Sequence, residues 1–196
     1  MPIPRLILAS ASPRRRELLA ARHLDFEVQP AAIDEARRDG EDAEAYVLRL
    51  ATAKAQALGA TYPQSLILGA DTIVVLDGQI FGKPADLAEA EKMLSRLSAR
   101  THQVLTGVCL LPPKAAPCAW VSRTEVTFHP LTAEAIRHYF SLVSPLDKAG
   151  AYAIQEHGEV LVASYRGLLS NVIGLPVEDV LERLSSLYPD FPPSAN

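Results

Sequence analysis

The segment from Leu6 to Ala20, L-I-L-A-S-A-S-P-R-R-R-E-L-L-A, constrains the fold of this chain more than any other stretch. Its apolar start, Leu6–Ala9, predicts a short buried strand. Ser12 followed by Pro13 is typical of a helix N-cap with proline at the first helical position. The segment is therefore predicted to run from a strand through a serine-bearing turn into a helix.

Three arginines, Arg14–Arg16, occupy the first turn of this predicted helix. The helix dipole favours negative side chains there, and a capping box would place Glu or Gln where Arg15 stands. Free backbone N–H groups and guanidinium groups at one helix start suit a polyanion such as phosphate. The alternative is a solvated basic helix start. The local conflict favours the anion site.

Asp71 stands in the middle of the most strand-like run of the chain, Leu66–Leu76. Branched residues on both faces predict a central buried strand. A carboxylate in such a place has to be paired, hydrogen-bonded or bound to a metal, because an unpaired buried charge is very costly. A bulge aspartate satisfied by a serine or by backbone amides is the alternative to an active-site role. Gly69 beside it permits close approach of a ligand or another backbone.

Lys54 lies on the apolar side of a predicted helix that begins near Ala43 and follows an acidic loop over 34–44. Taken alone, this position favours a lysine whose stem is packed and whose head reaches water. Asp77-Gly78 predicts a hairpin turn that brings Lys83 back toward Asp71. Lys83 is not a Walker A lysine, because the glycine pattern of that motif does not precede it.

The rest of the chain alternates between helix and strand patterns. Further strands are predicted near 26–28, 102–111, 119–128 and 160–164, further helices near 86–97, 131–140 and 177–187, and a frayed Pro-rich tail at Pro189, Pro192 and Pro193. The segment Pro145–Gln155, with Asp147-Lys148 beside small residues, either surrounds something charged or is an ordinary loop. Because no repeat or linker interrupts the chain, we expect a single domain over 1–196.

Composition limits the classes of partner. A net charge of −4 argues against broad binding of nucleic acid or of an anionic membrane surface, which require an extended basic surface. We therefore expect neither partner. The apolar runs are too short for a signal peptide or a membrane span. Cys109 and Cys118 form neither a zinc pattern nor a C-x-x-C pair, and a reducing cytoplasm is the expected compartment.

Six motifs, in order and over nearly the whole chain, together resemble the Maf family of nucleoside triphosphate pyrophosphatases. They are S-A-S-P-R-R at Ser10–Arg15, G-A-D-T at Gly69–Thr72, G-K-P at Gly82–Pro84, H-Q-V-x-T-G at His102–Gly107, D-K-A-G-A-Y-x-I-Q at Asp147–Gln155 and G-L-P at Gly174–Pro176. The resemblance implies an α/β fold with a long twisted mixed sheet flanked by helices, similar to the inosine triphosphatases. It also implies two lobes with a nucleotide cleft between them.

The activity implied by the resemblance is hydrolysis of a nucleoside triphosphate to the monophosphate and pyrophosphate with a divalent metal cation, Mg²⁺ or Mn²⁺. A homodimer is expected at the family level. The site residues that the resemblance implies are Asp71 as general base, Glu35 and Asp71 as metal ligands, and Ser10, Arg14, Arg15, Lys54, Thr72, Lys83 and Gln155 as substrate-binding residues. This reverses the water-exposed interpretation of Lys54.

Thr72 and Gln155 resemble the family branch that acts on dTTP and UTP, whereas the branch acting on 7-methyl-GTP carries other residues at these positions. We therefore expect a pyrimidine substrate. Three alternatives stay open: a pyrophosphatase of the 7-methyl-GTP type, a nucleotide-binding regulator of cell division in which hydrolysis is incidental, and a phosphohydrolase that releases orthophosphate. The product distinguishes the last of these from a pyrophosphatase.

Overall fold

A computed structural model describes residues 4–191 of the chain. Pro192 and Pro193 of the predicted tail lie outside the described residues. Pro189 belongs to a turn, and the expectation that the chain is frayed from this point is wrong as far as Phe191. Phe191 is buried against the apolar side of the last helix, and its N–H donates to the carbonyl of Tyr188 at 2.8 Å.

Seven strands of the described residues form one mixed sheet. They are β1 Leu6–Leu8, β2 Phe26–Val28, β3 Leu66–Leu76, β4 Gln79–Phe81, β5 Thr101–Leu111, β6 Cys118–Phe128 and β7 Val162–Arg166. Their order is β2-β1-β3-β5-β6-β7, with β4 paired to β3. β1 is parallel to β2 and to β3, whereas β4 is antiparallel to β3 and β7 is antiparallel to β6. The α/β class and the mixed sheet flanked by helices are confirmed.

The helices are α1 Pro13–Ala20, α2 Ala43–Gly59, α3 Leu87–Leu97, α4 Ala133–Leu142, α5 Leu169–Ile173 and α6 Val177–Leu187. All but α5 were predicted from the sequence. Side chains of Ser12, Asp42, Asp86 and Thr132 cap the N-termini of α1, α2, α3 and α4. The strand expected near 160–164 begins at Val162, because Gly158–Val160 forms a short 3₁₀ turn. No helix of residues 4–191 is long and apolar enough to cross a membrane.

The chain divides into two compact units. The first contains the residues up to Asp71, Thr106–Ser122 and the residues from Gly174 onward. Within it, Leu6, Leu8, Leu66 and Leu68 pack on the side of α6, whereas Ile7 and Ile67 pack on the side of α2. This alternation follows from the strand period of two, and burial on both faces explains why the sequences of β1 and β3 are almost continuously apolar.

The second unit contains Thr72–Leu105 and Arg123–Ile173. Its core joins the apolar stripe of α3, Ala90, Met93, Leu94 and Leu97, to residues of β5, β6 and α4. His102 lies inside this core, where its ring meets those of Phe128 and Tyr152 edge to face. The strands β3, β5 and β6 each contribute residues to both units.

Candidate active site

The turn between β1 and α1 is tied together by Arg15. The predicted cap is confirmed: Ser12 Oγ accepts the N–H of Arg15 at 3.5 Å, and Pro13 opens the helix. The Arg15 guanidinium is buried, and it donates from Nε to the carbonyl of Gly174 at 2.8 Å. From Nη1 it donates to the carbonyl of Ala70 at 3.0 Å and to Ser10 Oγ at 3.1 Å. Arg15 thereby connects the serine turn to the residue that precedes Asp71.

Burial lowers the pKa of the Arg15 guanidinium, while the nearby charge of Asp71 raises it. An arginine stays protonated in spite of such a shift, so a positive charge is held beneath the turn. Arg14 is half-buried and Arg16 is exposed on the same helical turn. The structure thus concentrates positive charge at the start of α1, where the sequence predicted an anion site.

Asp71 is paired with Lys54, as a buried carboxylate requires. Lys54 Nζ lies 2.6 Å from Asp71 Oδ1 and 2.7 Å from Glu35 Oε1. The Lys54 side chain is 11% exposed and that of Asp71 is 14% exposed. The alternative in which the head of Lys54 reaches water is therefore wrong, and the partner of Asp71 is Lys54 and not a serine or backbone amides. One ammonium group joins two carboxylates from different parts of the first unit.

Glu35 reaches this ion pair from a loop without regular secondary structure, residues 29–42. Its side chain is 58% exposed, in contrast to those of Lys54 and Asp71. Two residues of α2 hold the backbone of this loop. Tyr46 Oη donates to the carbonyl of Glu35 at 2.9 Å, and Arg49 Nη2 donates to the carbonyl of Ala36 at 3.0 Å. Sequence reasoning did not assign either residue to the site, because Tyr46 fits the apolar stripe of α2.

The other predicted substrate-binding residues, Thr72, Lys83 and Gln155, belong to the second unit. Strand pairing in the hairpin ends at Val74↔Phe81, and continuing that register would place Lys83 opposite Thr72. Lys83 is exposed, as is Gln155, which lies in a turn after Tyr152. The N–H of Gly150 donates to the carbonyl of Gly82 at 3.0 Å, so the segment Pro145–Gln155 contacts the residue before Lys83.

The charged group beside Lys148 in that segment belongs to the protein itself. Lys148 is buried and donates from Nζ to the carbonyl of Ser144 at 2.9 Å and to Asp147 Oδ1 at 2.8 Å. Lys148 is thus occupied by local partners.

A divalent cation at this site requires oxygen ligands from the protein. Within residues 4–191 no cluster of three or more His, Cys, Asp and Glu side chains could hold a metal ion. Glu35 and Asp71 nevertheless direct carboxylate oxygens toward one point, which Lys54 Nζ marks. Magnesium in nucleotide enzymes is commonly bound by one or two carboxylates together with substrate phosphates. Glu35 and Asp71 supply carboxylates of this kind and number, and Lys54 Nζ contacts both of them.

The fold and this site define a class of α/β proteins with a mixed sheet and a lysine-bridged pair of carboxylates. A solved structure with a similar fold is that of a HAM1 protein from Coxiella burnetii, with a TM-score of 0.53 at 16% identity over 96% of this chain and 100% of that chain. The chain belongs to the Maf family, because the family model described as Maf-like protein matches residues 5–187. The predicted family membership is confirmed.

Curated relatives match along almost their whole length. A protein of Akkermansia muciniphila named dTTP/UTP pyrophosphatase is 47% identical over 94% of this chain and 97% of the relative. Proteins with the same name from Symbiobacterium thermophilum and Myxococcus xanthus are 48% and 50% identical, over 95% and 91% of this chain and 96% and 90% of each relative.

Proposed function

We propose that this protein hydrolyses dTTP and UTP to the nucleoside monophosphate and pyrophosphate. The observation that carries the proposal is the contact of Lys54 with Asp71 and Glu35, together with the bonds of the buried Arg15 to Ser10 and to Ala70, the neighbour of Asp71. Basic groups that can hold a triphosphate and a carboxylate that can accept a proton are thereby assembled in one unit. The shared name of relatives 47% to 50% identical supports the pyrimidine substrate.

In the proposed mechanism Asp71 is the general base. A water molecule attacks the α-phosphorus, its proton passes to the Asp71 carboxylate, and the bond from the α-phosphorus to the bridging oxygen breaks so that pyrophosphate leaves. Lys54 holds Asp71 Oδ1 at 2.6 Å and thereby orients the carboxylate. General-base assistance of this kind contributes roughly 10²- to 10⁴-fold to a rate.

The triphosphate is proposed to be bound by Arg14, Arg15, Lys54 and Lys83, whose charges stabilise negative charge that develops on the phosphate oxygens. Ser10 Oγ accepts hydrogen bonds from Ser12 N and Arg15 Nη1, so its own O–H serves as a donor toward a phosphate oxygen. Thr72 and Gln155 are proposed to contact the pyrimidine base. Mg²⁺ or Mn²⁺, held by Glu35, Asp71 and the substrate phosphates, would neutralise part of the phosphate charge.

The proposal is tested by incubating the purified protein and Mg²⁺ with dTTP, UTP, CTP, dATP, GTP and 7-methyl-GTP, with separate assays for pyrophosphate and orthophosphate. We expect pyrophosphate, released mainly from dTTP and UTP. Pyrophosphate mainly from 7-methyl-GTP would contradict the role of Thr72 and Gln155. Orthophosphate would contradict the reaction, and tight binding without turnover would favour a nucleotide-binding regulator.

The role of Asp71 is tested with Asp71→Asn, which keeps the shape of the side chain but removes its ability to accept a proton. We expect kcat to fall about 10²- to 10⁴-fold while nucleotide binding stays detectable by calorimetry. Asp77→Asn is the matched control, because Asp77 is an exposed hairpin aspartate paired only at the surface with Arg100. Full activity of Asp71→Asn would show that another group accepts the proton.

A further inference from the structure

The loop that carries Glu35 has no helix or strand to fix it between β2 and α2. Glu35 itself is mostly exposed, yet its carboxylate meets the buried Lys54 Nζ at 2.7 Å. An exposed side chain on an irregular loop samples many conformations, and fixing it costs conformational entropy. The position of Glu35 therefore depends on whatever holds the backbone of its loop.

Tyr46 holds that backbone at Glu35 itself. Its hydroxyl donates to the carbonyl of Glu35, while Lys54 contacts the carboxylate of the same residue. Tyr46 and Lys54 are eight residues apart on α2, and residues at spacings of four lie on the same helix face. One face of one helix thus binds both the main chain and the side chain of Glu35.

Arg49 holds the next part of the loop. It donates to the carbonyl of Ala36 and forms a two-pronged salt bridge with Glu41, from Nε to Oε1 at 2.6 Å and from Nη2 to Oε2 at 2.8 Å. Both residues are half-buried, with side chains 19% and 9% exposed. The guanidinium also lies over the Tyr46 ring, 5.5 Å from its centroid. Bidentate arginine–carboxylate pairs fix orientation as well as distance.

From these contacts we infer that Tyr46 and Arg49 are positioning residues, which act through Glu35 by holding its loop against α2. We call the pair the α2 clamp. The clamp rests on the proposed function only through the role of Glu35 in the site, since its contacts are independent of substrate. Neither residue touches the reacting atoms in this inference. Their effect on turnover passes through the carboxylate that they place.

A double-mutant cycle tests this inference, using Tyr46→Phe, Glu35→Gln and the combined variant. Tyr46→Phe removes a single hydroxyl, and we expect kcat/KM for dTTP to fall about three- to ten-fold, as the loss of one hydrogen bond implies. In the Glu35→Gln background the same change should alter kcat/KM less than about two-fold, because the residue through which it acts is already disabled. Equal effects in both backgrounds, or wild-type activity of either single variant, would overturn the inference.

Tyr62→Phe is the matched control, since Tyr62 follows the other end of α2 and packs against the apolar cluster that contains Ala51 and Ala55. It should leave kcat/KM and the cycle unchanged. Arg49→Lys keeps the charge but loses the forked geometry, and we expect it to behave like Tyr46→Phe.

Amide hydrogen exchange of the peptide over 34–42 gives a second readout that needs no turnover. We expect this peptide to exchange about three- to ten-fold faster in Tyr46→Phe and Arg49→Lys than in the wild type and in Tyr62→Phe. Unchanged exchange would overturn the clamp even in an active enzyme. If the wild type hydrolyses no nucleotide, the proposed function fails, and the exchange data still decide whether the clamp exists.

Discussion

Arg15 shows that a cation at a helix start can carry structure as well as charge. Its Nε and Nη1 groups satisfy the carbonyls of Gly174 and Ala70 and the hydroxyl of Ser10, at 2.8, 3.0 and 3.1 Å. A buried backbone carbonyl that loses its hydrogen-bond donor destabilises the fold by the full free energy of its desolvation. Arg15 therefore differs from Arg16, which is exposed one position further along the helix.

Replacing Arg15 with lysine keeps the charge but cannot reproduce the forked bonds from Nε and Nη1. We expect Arg15→Lys to lower the free energy of unfolding by about 2 to 4 kcal/mol, because buried oxygens lose their donors. Urea denaturation followed by circular dichroism measures this change, with Arg16→Lys as the exposed control. Equal stability of the two variants would show that the bonds of Arg15 contribute little beyond its charge.

The helix α2 is the element on which the site depends, and two glycines determine how closely it lies on the sheet. A Cβ at Gly69 would stand 2.1 Å from the carbonyl oxygen of Ala51, and one at Gly107 would stand 2.2 Å from that of Val47. The expectation that Gly69 allows close approach is thus confirmed, and the approaching group is a backbone. Lys54, Tyr46 and Arg49 all project from this closely packed helix.

At the scale of this element we predict that Gly107→Ala lowers the free energy of unfolding by about 3 kcal/mol, because only a shift of backbone relieves the contact with Val47. Gly82→Ala is the control, since a Cβ at Gly82 meets nothing within 4 Å. Thermal unfolding of both variants checks the prediction. A Gly107→Ala protein as stable as Gly82→Ala would mean that α2 moves away from the sheet at little cost.

The pattern of apolar residues predicted most elements, through an almost continuous apolar run in β3 and a repeat of three and four residues in α2. It missed α5, whose five residues are too short to show a helical period. In the site, Asp71 was predicted because a charge interrupts an apolar strand. Glu35 came only from family resemblance, since a loop has no period. The contacts of Tyr46 and Arg49 with the loop could not be predicted, because a hydrogen bond to a backbone carbonyl requires no particular residue type or spacing in the partner segment.

At the scale of the whole molecule, the free energy of unfolding depends on the protonation of groups that the fold buries. His102 is almost fully buried, donates to or accepts from Tyr152 Oη at 2.8 Å, and packs between Phe128 and Tyr152. Burial lowers the pKa of His102 from 6.5 to about 4. Because the unfolded chain binds the proton more tightly than the folded one, unfolding is favoured as the pH falls through this window.

The sign of this effect defines the last prediction. The contribution of neutral His102 to the free energy of unfolding is fully present above about pH 6.5. It is lost as the pH falls toward 4, by about 3 kcal/mol in total. We expect His102→Gln, whose amide can still bond to Tyr152, to lose about 3 kcal/mol less stability than the wild type between pH 7 and pH 4. Urea denaturation at intermediate pH values measures both curves, and carboxylate protonation cancels between them. His138→Gln, at an exposed position of α4, should follow the wild type. If the His102→Gln curve ran parallel to the wild-type curve, the histidine would be protonated in the folded core at the same pH as in the unfolded chain.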